Sequence, residues 1–119
     1  MELDERLARA MGTVLSGNVW QTVCTQKPLP DEYMVLTTVD NRPEIYSGDQ
    51  DEQLAVQYRV AWYRRGDTSG CARRMRSAAR NAGFLIESTP PESYDPATGH
   101  KIVYIEVSAT DTCEDYSET

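Results

Sequence analysis

Few side chains in this 119-residue chain can act as nucleophiles, metal ligands or proton carriers: one histidine, His100, and three cysteines, Cys24, Cys71 and Cys113. The cysteines are odd in number and far apart, so their spacing suggests neither a disulfide framework nor a zinc pair. Cys71 falls on the apolar face of a predicted helix, where a thiol serves as a small hydrophobe. A cysteine–histidine couple would have to use His100, and a lone imidazole in a loop is ordinarily a solvated side chain. Glu87 and Glu106 lie in segments that can be adjacent strands, and two carboxylates so placed can divide the roles of acid and base. Acids on an exposed sheet edge give the same placement without chemistry, and that is the commoner case. The sequence has no Gly-rich phosphate loop, metal-ligand spacing or Ser/His/Asp set. These residues point away from an enzyme and imply no cofactor and no metal.

What the sequence concentrates is arginine. Twelve Lys+Arg stand against 19 Asp+Glu, a net charge of −7. That balance argues against non-specific binding of duplex DNA or anionic lipid as the main task. The charge is segregated. Residues 28–58 hold seven acids and only Arg42 as a base, residues 59–80 hold seven arginines and only Asp67, and residues 81–119 hold eight acids and only Lys101. A basic band between two acidic ones can pair with copies of the same chain or face an anionic partner. The plainer reading is that the bands are solvated faces of ordinary elements. Arg59 among Tyr58, Trp62 and Tyr63 also resembles a base-stacking surface. Tyr58 and Trp62, however, share the parity of Leu54 and Val60 and so belong on the buried side.

The elements that must position these residues follow from periodicity. The length fits a single domain, expected over residues 1–108 with a flexible acidic tail over 109–119. No apolar run approaches the roughly 20 residues that span a bilayer. The acidic, amphipathic start is unlike a secretory signal, which predicts a soluble protein made in the cytoplasm. Leu3, Leu7, Ala10 and Val14 form a helical stripe ending at Ser16-Gly17-Asn18. Val19–Cys24 and Tyr33–Val39 read as strands, and Asp40–Glu52 as a loop or a long hairpin tip. Strict alternation over Leu54–Trp62 marks the clearest strand, leaving Gln57, Arg59, Ala61 and Tyr63 on the wetter face. Cys71, Met75, Ala78 and Ala82 predict a second helix with Arg73, Arg76 and Arg80 opposite, an N-cap within Gly66–Ser69, and a stop at Gly83. Phe84–Glu87 and Ile102–Val107 complete the order α-β-β-β-α-β-β. The fold class is α+β: a mostly antiparallel sheet of four to five strands with two helices on one face.

Several segments, taken in order, resemble the tail terminator or tail-completion (tail-to-head joining) proteins of long-tailed bacteriophages. They are the amphipathic opening helix, Pro30-Asp31-Glu32-Tyr33-Met34-Val35-Leu36, and Tyr46-Ser47-Gly48-Asp49 leading into Gln57-Tyr58-Arg59-Val60-Ala61-Trp62-Tyr63. Ala79-Arg80-Asn81-Ala82-Gly83-Phe84 follows, and then Tyr94-Asp95-Pro96-Ala97-Thr98-Gly99-His100-Lys101. The resemblance spans Glu2 to Val107, and the Pro-rich segment Thr89–Pro96 and the acidic tail depart from it.

The resemblance implies a non-enzymatic protein at the head-proximal end of a virion tail. Such a protein forms a hexameric ring on the tail tube protein and meets a head-completion protein. Asn41–Glu52 and Ser88–Gly99 are then the candidate contact loops. A ring needs two complementary patches per subunit. The expected interface residues are Arg59, Tyr63, Arg73, Arg76, Arg80, Asp49, Asp51, Glu52 and Tyr94. A monomer in dilute solution and a passing contact with channel DNA fit the same reading, with no membrane involved. Another head–tail connector or adaptor, or a small nucleic-acid-binding module, is the alternative.

Overall fold

The computed structural model describes residues 3–45 and 52–112. The elements are α1 (Leu3–Gly12), β1 (Val19–Gln21), β2 (Glu32–Ile45), β3 (Glu52–Arg64), α2 (Cys71–Asn81), β4 (Leu85–Ser88), β5 (Ser93–Asp95) and β6 (His100–Thr112). The strands form one sheet in the order β1-β2-β3-β6-β4, and β5 also pairs with β6. Among the described residues only the β1–β2 pairing is parallel. β4 and β5 share the outer edge of β6, one against Glu106–Ser108 and the other against His100–Ile102.

The predicted alternation of β3 sets the register. Val56, Tyr58, Val60 and Trp62 lie opposite Ala109, Val107, Ile105 and Val103 of β6, and all eight enter the core. A one-residue slip would turn every one of them outward. Against this face pack Leu3, Leu7, Ala10 and Met11 of α1, Cys71, Met75 and Ala79 of α2, and Phe84. Cys71 is a buried core thiol, as its position predicts.

Several boundaries differ from the sequence reading. The buried stripe of α2 is Cys71, Met75 and Ala79, while Ala78 and Ala82 sit at its edge, half-buried. In α1, Met11 takes the core place expected of Val14, and the helix ends at Gly12 before hydrogen-bonded turns at Thr13–Leu15. β1 stops at Gln21 because Thr22 adopts a left-handed backbone (φ 70°), a conformation a β-branched residue rarely takes. β2 and β3 run farther than expected, pairing from Glu32↔Arg64 to Ile45↔Glu52. Pro43 suggests a loop there, but β1 covers only Met34–Leu36, so the rest of β2 is an edge that tolerates a proline. β5 is a sixth strand inside the expected loop Thr89–Gly99. Residues 109–112 of the expected tail are paired with β3 as the end of β6, and 113–119 lie outside the described residues.

The second helix ends as predicted. Gly83 is left-handed (φ 93°), its N–H donates to the Arg80 carbonyl, and the Phe84 N–H reaches back to the Ala79 carbonyl. This double closure satisfies the last carbonyls and drops Phe84 into the core. At the other end the N-cap is Gly70, with no side-chain bond, rather than a residue within Gly66–Ser69. Asp67 instead accepts from the backbone N–H and hydroxyl of Ser69, which lowers its pKa and shapes the turn before the helix.

Candidate assembly surfaces

The sheet face turned away from the helices carries Arg59 directly opposite Glu106. The Arg59 Nε and Nη2 both donate to Glu106 Oε2, at 3.0 and 2.7 Å, and its guanidinium lies 5.7 Å from the Tyr104 ring centroid. Ser88 donates to the other Glu106 oxygen at 2.9 Å. Together the Arg59 and Ser88 hydrogen bonds hold the Glu106 pKa below its ordinary value. Glu87, at the bulge between Ile86 and Ser88, accepts instead from Ser108. The two carboxylates of the candidate acid–base pair are thus on neighbouring strands but engaged by different partners. Glu106 is favoured ionised, the opposite of what a proton donor needs.

The Asp95–His100 turn is a latch. Asp95 accepts from the Ala97 N–H at 3.0 Å and from the Thr98 hydroxyl at 3.1 Å, with Gly99 left-handed (φ 79°). His100 is fully buried, contrary to its expected exposure. Its Nε2–H donates to the Pro30 carbonyl at 2.9 Å, and Nδ1 lies 2.7 Å from the Thr98 hydroxyl. Arg65 joins the same two segments by donating to the Thr98 carbonyl and pairing with Asp31. Above this latch Tyr63 stacks on Tyr33, with centroids 4.5 Å apart and planes 6° from parallel, and both rings meet His100 edge-on. Burial, then Tyr63, Cys24 and Asp95, push the Tyr33 pKa up to about 12 against a smaller pull from Arg65. Burial and the neighbouring Tyr104 and Asp95 raise Tyr63 as well.

A third cluster surrounds Trp62, whose indole N–H donates to Glu32 at 2.9 Å. Arg64 pairs with Glu32 at 3.3 Å, and Arg74 donates to the Val14 carbonyl at 3.2 Å. Both guanidinium groups lie within 6 Å of the Trp62 ring, at 5.9 and 5.3 Å. The roles of Arg64, Arg65 and Arg74 escaped the sequence reading, because their partners lie far off in the chain.

The basic band therefore divides. Arg59, Arg64, Arg65 and Arg74 are engaged within the subunit. Arg73 and Arg80 are exposed on α2 with no partner among the described residues. Arg76 makes one long hydrogen bond to Thr89, at 3.4 Å. Of the other expected interface residues, Tyr63 is half-buried in its stack and Tyr94 is exposed on β5. Glu52 opens β3 opposite Ile45, and Asp49 and Asp51 lie outside the described residues. Arg59 and Tyr63 share the outer sheet face, whereas Arg73, Arg76 and Arg80 belong to the helical layer behind it.

Among the described residues no group of three or more His, Cys, Asp or Glu is placed to hold a metal ion. No helix among the described residues is long and apolar enough to cross a membrane. The described residues define an α+β domain with a helical layer over a mostly antiparallel sheet, and unpaired arginines on that layer. No family model matches the chain, and no curated protein matches it. Among solved structures, a chain in the virion of a native gene transfer agent particle shares the fold over 87% of this chain and 82% of its own, at 13% identity and a TM-score of 0.52. The PVC sheath/tube terminator of an extracellular contractile injection system, in its extended state, is similar at 10% identity and a TM-score of 0.46. That likeness covers 94% of this chain but only 57% of the terminator.

Proposed function

We propose that this chain is a structural component of a phage-type tail, a terminator or tail-completion protein that caps the tail tube and joins it to the head. The observation that carries the reading is the fold shared, over nearly the whole length, with a chain of the gene transfer agent virion. The role is steric and interfacial, and it uses no catalytic group or cofactor. Copies associate head to tail into a hexameric ring, with Arg73, Arg76 and Arg80 meeting acidic residues of the next copy. The tube protein lies on one side of the ring and a head-completion protein on the other, at the head-proximal end of the tail. DNA in the channel makes only passing contact.

Light scattering behind size-exclusion chromatography, over a range of concentrations and then with purified tail tubes added, tests this reading. Six copies of the 13.4 kDa chain, free or on tube ends, are expected. Replacing Arg73, Arg76 and Arg80 together by Glu should abolish them. A chain that neither self-associates nor caps tubes refutes the proposal. Rings that bind the head side but not the tube would assign a neighbouring connector role instead.

A further inference from the structure

Between α1 and α2 lies a groove of about 480 Å³, the size of a small-ligand or side-chain site. Its floor is apolar, formed by Ala10, Ala78 and Ala82, and Arg6, Arg9 and Asn81 stand on its walls. The Arg6 Nε is buried without a hydrogen-bond partner, and the guanidinium lies 5.4 Å from the Phe84 ring centroid. Neither Arg6 nor Arg9 has an ion pair among the described residues. Asp4, on the same helix, accepts from the Tyr58 hydroxyl instead. An unanswered cationic wall over an apolar floor suits a short acidic segment that also carries an aromatic side chain. Residues 113–119, Cys-Glu-Asp-Tyr-Ser-Glu-Thr, hold three acids, one tyrosine and no base.

Glu114 and Asp115 do not suit the groove of their own subunit. Arg6 rests on Phe84, the Phe84 ring meets Tyr58 edge-on, and Tyr58 pairs with Val107, so the near end of the groove is level with Val107. From there β6 continues to Thr112, a distance of roughly 17 Å at a strand's rise. Glu114 and Asp115 can return at most about 7 and 10 Å from Thr112.

We propose that the α1–α2 groove receives the acidic segment 113–119 of a second copy of this chain, with Glu114 and Asp115 on Arg6 and Arg9 and Tyr116 over the alanine floor. The contact is head to tail, as a closed ring requires. It deepens the assembly reading above and rests on it. The test is fluorescence anisotropy of a labelled peptide of residues 110–119 titrated with the dilute full chain. Saturable binding is expected, weakened at least tenfold by Arg6→Glu with Arg9→Glu and unchanged by Lys101→Glu at the opposite end of β6 from Val107. Arg9→Glu alone, which leaves the Arg6–Phe84 packing in place, should still weaken binding several-fold, with circular dichroism as the folding control. No saturable binding, or equal binding by a peptide with Gln at 114, 115 and 118, overturns the inference. Displacement of the peptide by a single-stranded oligonucleotide of equal charge at lower concentration would assign the groove to nucleic acid and overturn it too. Failure of the peptide to bind while rings still form defeats this contact alone. Arginine-dependent binding without rings, in solution or on tubes, defeats the assembly reading instead.

Discussion

The two faces of this domain treat the same residue type in opposite ways. On the outer face of the sheet, Arg59 finds Glu106 directly across the strand pair, and Arg65 finds Asp31 beside the latch. On the helical layer, Arg73 and Arg80 find no partner among the described residues. The reason is local. A strand places its side chains beside those of its paired neighbours, and here Arg59 has Glu106 across from it and Arg64 has Glu32. A helix offers residues three and four positions away, and α2, Cys-Ala-Arg-Arg-Met-Arg-Ser-Ala-Ala-Arg-Asn, contains no acid at all. The sheet face thus spends its charges on holding the subunit together. The helical layer ties down Arg74, through the Val14 carbonyl and the Trp62 ring, and holds Arg76 by one long bond to Thr89, but leaves Arg73 and Arg80 for solvent or for another molecule.

If that contrast is right, substitutions on the sheet face should cost stability, and the largest cost should fall at the latch. His100→Ala leaves the Pro30 carbonyl and Thr98 hydroxyl without their ring partner and opens a cavity. A loss of about 3 kcal/mol in denaturant unfolding is expected. His100→Phe, which fills the cavity but cannot hydrogen-bond, separates the two contributions and should cost about 2 kcal/mol. A loss below 0.5 kcal/mol in both would mean that the latch does not hold the sheet face. The Tyr33–Tyr63 stack gives a second, pH-dependent handle. Because the folded state keeps the Tyr33 proton up to about 12, it binds more protons than the unfolded chain between the ordinary tyrosine value of 10 and that point. Stability should therefore fall with rising pH over this window, by about 1 kcal/mol per unit. Tyr33→Phe should flatten the fall.

How these features stood in the sequence differs with their range. The alternation of β3 and the stop at Gly83 were legible because each rests on near neighbours: a two-residue period and a left-handed glycine. The Asp95–Gly99 turn was legible as a turn for the same reason. Its docking was not, since the Pro30 carbonyl that accepts from His100 is 70 residues away. No local signal marks His100 as buried. Ala78 and Ala79 show another limit. Both are small and apolar and sit 100° apart around the helix, so composition cannot say which faces the core. Arg73 and Arg80 were identifiable because their isolation from acids is written in α2 itself. Arg6 and Arg9 lie between the apolar positions of α1, and only the packing of α2 beside them makes the groove.

A smaller effect is expected at the Arg59–Glu106 pair, where the arginine side chain is 49% exposed. Glu106→Gln should cost about 0.5–1 kcal/mol at neutral pH, the range of a well-formed surface pair. The sign of its pH dependence is set by the lowered pKa. The contribution is fully present above the unfolded value near 4.5 and is lost as pH falls through the folded value. Wild type and variant should therefore converge in acid, as urea midpoints at pH 7, 5 and 3 would show. A gap that widened in acid would contradict the ionised pair.

The smallest change in stability should accompany substitution of the unpaired arginines, and this asymmetry is the sharpest form of the comparison. Arg73→Gln and Arg80→Gln remove charges that have no partner among the described residues, so thermal unfolding should move by less than about 0.5 kcal/mol, as surface substitutions generally do. Relief of repulsion among Arg73, Arg76 and Arg80 could even make the shift favourable. The same variants should weaken concentration-dependent self-association, and the defect should resemble the effect of added salt on the wild type, since screening acts on the same exposed charges. Arg59→Gln should do the reverse, costing stability with little effect on association. If instead Arg59→Gln disrupted association and the α2 variants left it untouched, the division of labour between the two faces would be inverted, and the sheet face would be the one that meets a partner.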